Sequence, residues 1–204
     1  MTTMKAVRIH TYGGPDVLKY EDVPRPKPEK GEVLIQVHAA GVNPVDWKIR
    51  EGYFKDRNLH ALPLVLGWDV SGVVEATGPD VTRLKKADEV YSRPDVARDG
   101  AYAEYIVVRE SEVSVKPKSI DHFHSAAIPL AALTAWQSLF DSQGKRYAYV
   151  FVQPNPTQLA EIAKLVDAEK IKSIVETILP LKEARKAHEQ SQAGHTRGKI
   201  VLRV

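Results

Sequence analysis

Seven short strand-like runs fill residues 4–116, and glycine or proline breaks the chain between most of them. Met4–His10 and Leu18–Val23 flank a Gly13-Gly14-Pro15 turn. Pro24, Pro26 and Pro28 then interrupt the chain before the longest run, Glu32–Val42. There Val33, Ile35, Val37 and Ala39 share one face, the period of two that a strand imposes. Asp69–Thr77, interrupted by Gly72, comes next, followed by Glu89–Ser92, Tyr102–Val108 and Val113–Lys116. Short strands at this spacing predict a small β-barrel or sandwich.

The pattern changes after Lys118. Asp121–Ala127 and Leu130–Asp141 read as helices, and Ser142–Arg146 is a polar break. Tyr147–Val152 is an apolar strand. Thr157–Ala168 is amphipathic, with Leu159, Ile162, Ala163, Leu165 and Val166 on one side. Lys172–Leu179 reads as a strand, Leu181–Gln192 as a helix and Lys199–Val204 as a closing strand. The expected class is mainly β with α.

Composition removes several functions. The chain has no cysteine, which excludes disulfides, thiolate zinc sites and a cysteine nucleophile. Its 29 basic and 26 acidic residues are interspersed; even Lys85-Lys86 is followed at once by Asp88-Glu89. No basic face for nucleic acid is therefore expected. No run approaches 18 apolar residues, and the N-terminus lacks a signal peptide's apolar region, so the expectation is a cytoplasmic protein without a membrane partner. His122 and His124 diverge at i and i+2 and have no evident third ligand, so no metal is expected.

Gly41-Val42-Asn43-Pro44-Val45-Asp46-Trp47 has the chemistry of a helix start. Asn43 suits the N-cap and Pro44 the first helical position. Asp46 falls at N3, where a carboxylate can reach back to the cap. The same string, extended to Gly52, resembles the signature of quinone oxidoreductases of the medium-chain dehydrogenase/reductase superfamily. Five more stretches resemble that family in order: Leu66–Val74, Asp88–Tyr91 (with Ala87 where glycine is customary), Gly100–Tyr105, Ala127–Trp136 and Gly194–Val204.

The resemblance implies a GroES-like, partly open β-barrel with peripheral helices. It also implies NADPH-dependent reduction of a quinone or enone. Zinc-dependent relatives have Cys where Asn43 stands and His where Trp68 stands, so the chain resembles the zinc-free branch. Asn43, Asp46 and Tyr53 are the candidate catalytic residues it implies. Trp68 belongs in the substrate pocket, with Thr134 and Asn43 toward the cofactor. Each has a plainer alternative: a cap for Asn43 and Asp46, packing for Tyr53 and Trp68, and a bond back to the helix carbonyls for Thr134. His195, Arg197 and Lys199 alternate and read as an exposed polar strand face, with contact to an anion as the alternative.

The family's Rossmann domain is not legible. No G-x-G-x-x-G occurs, and no run of about 120 residues alternates strand and helix as two βαβαβ halves need. The expected organisation is a main part over 1–141, a splice over 142–146 and a return segment over 147–204. The gap reads as a domain deletion, natural or engineered, with the clean joint favouring the latter. No cofactor is expected for this chain, and turnover is expected to be absent or very weak. Deletion also predicts altered assembly, because the family dimerises largely through the cofactor domain. The alternative is a stand-alone GroES-like scaffold or interaction module without enzymatic role.

Overall fold

The computed structural model describes residues 2–141 and 151–204. The expected splice at 142–146, and the expected strand Tyr147–Val152 apart from its last two residues, lie outside them.

Two sheets organise the molecule. The smaller contains β1 (Thr3–Ile9), β2 (Leu18–Pro24) and β4 (Leu64–Val65), in the order β2-β1-β4. The larger follows the path β8-β6-β5-β3-β10-β9, and β7 also pairs with β3. Its strands are β3 (Glu32–Val42), β5 (Val70–Thr77), β6 (Glu89–Ser92), β7 (Tyr105–Arg109), β8 (Val113–Val115), β9 (Val175–Pro180) and β10 (Lys199–Arg203). A bridge between Ala6 and Ala103 joins the sheets, and no closed barrel forms among the described residues. The fold is α+β.

β3 is the spine because its two halves have different partners on one edge. Residues 32–36 pair with β7, and residues 39–42 pair with β10. β5 lines the opposite edge. Residues at the two ends of the chain therefore share one ladder, with Ile200 opposite Val42. The main apolar cluster lies along this spine and includes Val33, Ile35, Val37, Val70, Ile200 and Leu202.

Helices flank the sheets: α1 (Pro44–Arg50), α2 (His122–Ala126), α3 (Pro129–Trp136), α4 (Pro156–Asp167) and α5 (Ala184–Ala193). A π-helical turn, Gln137–Asp141, extends α3. The amphipathic face expected of α4 is buried through Leu159, Ile162, Ala163 and Val166.

Two local readings are corrected. Tyr102 and Ala103 precede β7 rather than belonging to it. They cross to the smaller sheet instead, where Val7 N–H donates to Tyr102 O (2.7 Å), and Tyr102 N–H is held by Leu66 O (2.9 Å). β9 starts at Val175, not Lys172, where pairing with β10 begins. Ala87 adopts φ 74°, the left-handed region that explains the customary glycine at this turn.

Candidate functional site

The end of β3 delivers Asn43 into the interior. Gly41, just before it, permits the close approach: a Cβ there would lie 2.3 Å from Ala126 O. Pro44 then starts α1, and Asp46 Oδ2 accepts the Asn43 backbone N–H at 2.8 Å. The Asn43 side chain makes tertiary contacts. Its Nδ2 donates to Asp69 Oδ2 (2.9 Å), and its Oδ1 accepts from the Lys199 ammonium. Lys199 Nζ also lies 3.6 Å from Asp69 Oδ2. Asp69 Oδ1 accepts Leu130 N–H at 2.8 Å, tying the cluster to the start of α3.

Asp46 occupies the other side. Its Oδ2 accepts the Tyr102 hydroxyl at 2.9 Å, while Oδ1 is buried with no hydrogen-bond partner among the described residues. Both carboxylates are fully buried. Burial pushes Asp46 up to about 7, and the Asp69 charge adds to that; the Asn43 N–H, the Tyr102 hydroxyl and Lys199 oppose it. Burial raises Asp69 too, against Lys199, Asn43 and the Leu130 N–H. Tyr102 is pushed well above the ordinary phenol range, first by burial and then by Asp46.

Lys199 also lines an apolar groove of about 620 Å³. Ala131, Ala135, Trp136 and Phe140 form one wall, and Ile162 and Leu165 of α4 form another. That size suits a small organic ligand. The groove is thus a largely apolar slot that has Lys199 among its lining residues.

The sequence-predicted residues scatter around this arrangement. Asn43 and Asp46 meet. Trp68 is 1% exposed, its Nε1 donates to Arg98 O (3.0 Å), and it offers no open face for stacking. Tyr53 is 64% exposed and sits edge-on to Trp47, away from the cluster. Thr134 Oγ1 bonds back to Leu130 O at 2.6 Å. Lys199 corrects the reading of an exposed strand face: 21% of its side chain is exposed, because the buried Asp69 charge draws it inward. Asp69 and Tyr102 were missed. An aspartate inside the apolar run Leu66–Val74 was the available signal, since a buried charge needs a partner.

A buried amide–carboxylate–ammonium cluster thus lies beside an apolar groove. Residues 29–118 match the alcohol dehydrogenase GroES-like domain. Residues 86–202 match the zinc-binding dehydrogenase family, and the chain belongs to that family, within the medium-chain dehydrogenase/reductase superfamily. It is 41% identical over 143 residues to the mitochondrial NAD(P)H oxidoreductase RTN4IP1 of Dictyostelium discoideum, covering 68% of this chain and 40% of that protein. It is 41% identical over 140 residues to human quinone oxidoreductase, covering 68% and 41%. The chain thus spans about two fifths of these curated relatives. Among solved structures, the quinone oxidoreductase from Coxiella burnetii superposes with a TM-score of 0.90 at 24% identity, covering 100% of both chains.

The family's name implies zinc, but the residues do not fit it. There is no cysteine, and Trp68 Nε1 is a donor only. The Asn43 oxygen is already held by the Lys199 ammonium, a cation supplied by the chain itself. No group of three His, Asp or Glu able to hold a metal occurs among the described residues.

Proposed function

We propose that this chain is the substrate-side part of an NADPH-dependent quinone or enone reductase, and that alone it binds the acceptor without turning it over. The observation that carries this reading is Lys199, which reaches the Asn43–Asp69 pair and also lines the apolar groove. A flat quinone fits between the alanine and Trp136 wall of α3 and the Ile162 and Leu165 wall of α4, with one carbonyl oxygen toward the ammonium. That charge polarises the carbonyl and stabilises the developing enolate oxygen. Asn43 and Asp69 hold the ammonium in place. Tyr53 and Trp68 stand outside this geometry.

NADPH, when bound, supplies a hydride in such reductases. The described residues do not fit it. The chain has no G-x-G-x-x-G turn, and the one parallel strand pair among the described residues, β9–β10, is far short of two βαβαβ halves. The N-terminus of α1 faces the buried Asp46 carboxylate rather than an open phosphate cradle. No hydride step is therefore assigned to this chain. We also propose that a domain is missing between Asp141 and Tyr147, that assembly is altered, and that the location is cytoplasmic.

Calorimetric titration with a naphthoquinone and, separately, NADPH tests this. The expected result is saturable quinone binding, negligible NADPH binding and no NADPH oxidation. Saturable NADPH oxidation proportional to purified protein overturns the silence. Absence of quinone binding favours a scaffold without enzymatic role.

A further inference from the structure

We propose that Arg93 forms the floor of an oxyanion site that takes the carboxylate or phosphate group of a small ligand. The site is separate from the Lys199 groove and does not depend on the reductase reading. Arg93 follows β6, in Ser92-Arg93-Pro94-Asp95, and is 4% exposed. Its Nε is buried without a hydrogen-bond partner among the described residues.

The nearby acids are committed elsewhere. Asp95 and Glu112 both accept from Arg109 Nη1, at 3.2 and 2.9 Å. Asp69 is held by Asn43, Lys199 and the Leu130 N–H. Asp46 is bonded to Tyr102 and the Asn43 N–H. These four carboxylates act on Arg93 through space. A guanidinium keeps its charge across physiological pH, so it cannot relieve burial by losing a proton, and an unpaired buried charge is costly. Such a group calls for an oxygen-bearing partner.

The space for that partner exists. Arg93 lines an open pocket of about 290 Å³ with Arg109, Ser111, Phe151 and Gln153. Arg109 is half-exposed at its side chain, and Ser111 is exposed. The planar fork of Arg93 matches two oxygens of a carboxylate or phosphate, which a point charge does less well. Asp95 and Glu112 also line the pocket and balance the two arginines. Recognition therefore rests on the fork rather than on a positive field, which restricts the ligand to one small anionic group.

Thermal unfolding and calorimetry of the 204-residue chain, at constant ionic strength, provide the test. The probes are inorganic phosphate and acetate. The expected result is a saturable rise in Tm with at least one, and at least tenfold weaker binding in Arg93→Met. Saturation by phosphate alone identifies a phosphate ligand; saturation by acetate alone identifies a carboxylate. No saturable response to either probe, or equal responses in the parent and Arg93→Met, overturns the proposal. If Arg93→Met does not fold, Arg93→Lys keeps the charge but not the fork. It should also bind about tenfold more weakly, and unchanged affinity there overturns the site.

Discussion

The Lys199 ammonium donates to the side-chain oxygen of Asn43, a residue 156 positions earlier in the chain. This contact joins the first residue of the last strand to the end of the longest one, beside the buried Asp69 carboxylate. Lys199→Met keeps most of the stem's packing but leaves Asp69 without its cation. The expected cost is about 1–3 kcal/mol at neutral pH, measured by urea unfolding. Lowering the pH should shrink that cost, because a protonated Asp69 no longer needs the ammonium. Quinone affinity in the groove should fall roughly tenfold, the equivalent of about 1.4 kcal/mol.

Asp46 and His188 should impose opposite pH slopes on stability. Burial raises Asp46 from 3.8 to about 7, so the folded state binds its proton more tightly. Stability then falls as pH rises from about 4 to 7. His188 is fully buried on α5, and its Nδ1 lies 3.1 Å from Arg50 Nη1. Burial, then the Arg50 charge, lower it from 6.5 to about 3. The unfolded state binds this proton more tightly, so stability rises as pH climbs from about 3 to 6.5. The two slopes, each up to about 1.4 kcal/mol per pH unit, largely cancel between about pH 4 and 6.5. Asp46→Asn should expose the rising slope and His188→Gln the falling one in chemical unfolding across that range. A flat profile in both variants contradicts the assignment.

The strand framework was readable because alternation and turn residues report directly on a half-buried sheet. Glu32–Val42 and Glu89–Ser92 coincide with β3 and β6 residue for residue. The helix start at Asn43-Pro44 was equally legible, since capping is local chemistry. The cluster was not. Lys199 looked exposed because alternation tells which side chains share a face, and does not show that this face meets a buried carboxylate. Trp68 was open between pocket and packing, and its indole lies inside the core with its N–H on Arg98 O. Nothing local in the sequence marks His188. Its environment is set by Arg50, 138 positions away, and by Tyr102, whose ring meets it edge-on at 5.7 Å. Such long-range partners have no local signature.

Gly67 connects backbone strain to the site. It adopts φ 89°, and a Cβ there would stand 2.3 Å from two ring carbons of Tyr102. Gly67→Ala therefore meets both a left-handed backbone penalty of about 1–2 kcal/mol and a clash with a fully buried ring. Relief requires Tyr102 to move, and its hydroxyl then leaves Asp46 Oδ2. The expected loss is more than about 2 kcal/mol by urea unfolding. The Asp46-dependent fall in stability should also extend to higher pH, because a donor that favours the charged carboxylate is lost. Gly194→Ala is the control. Gly194 also has a positive φ (75°), but no atom lies within 4 Å of its Cβ position, so only the backbone penalty should appear.

Tyr91 and Leu159 test how α4 is held on the sheet and hence how the groove wall is supported. The Tyr91 hydroxyl donates to Leu159 O at 2.5 Å, and both residues are fully buried. Tyr91→Phe removes one hydrogen bond and preserves the ring. A helical carbonyl retains its intrahelical partner, so the expected cost is about 1 kcal/mol. Leu159→Ala opens a cavity among Ile128, Leu133 and Ile162 and should cost about 2–5 kcal/mol. The two changes should separate further in ligand binding. Tyr91→Phe leaves α4 seated and quinone affinity unchanged. Leu159→Ala loosens the helix that carries Ile162 and Leu165, and affinity should fall. Equal losses of affinity in both variants would mean that the hydrogen bond, rather than apolar packing, fixes the wall.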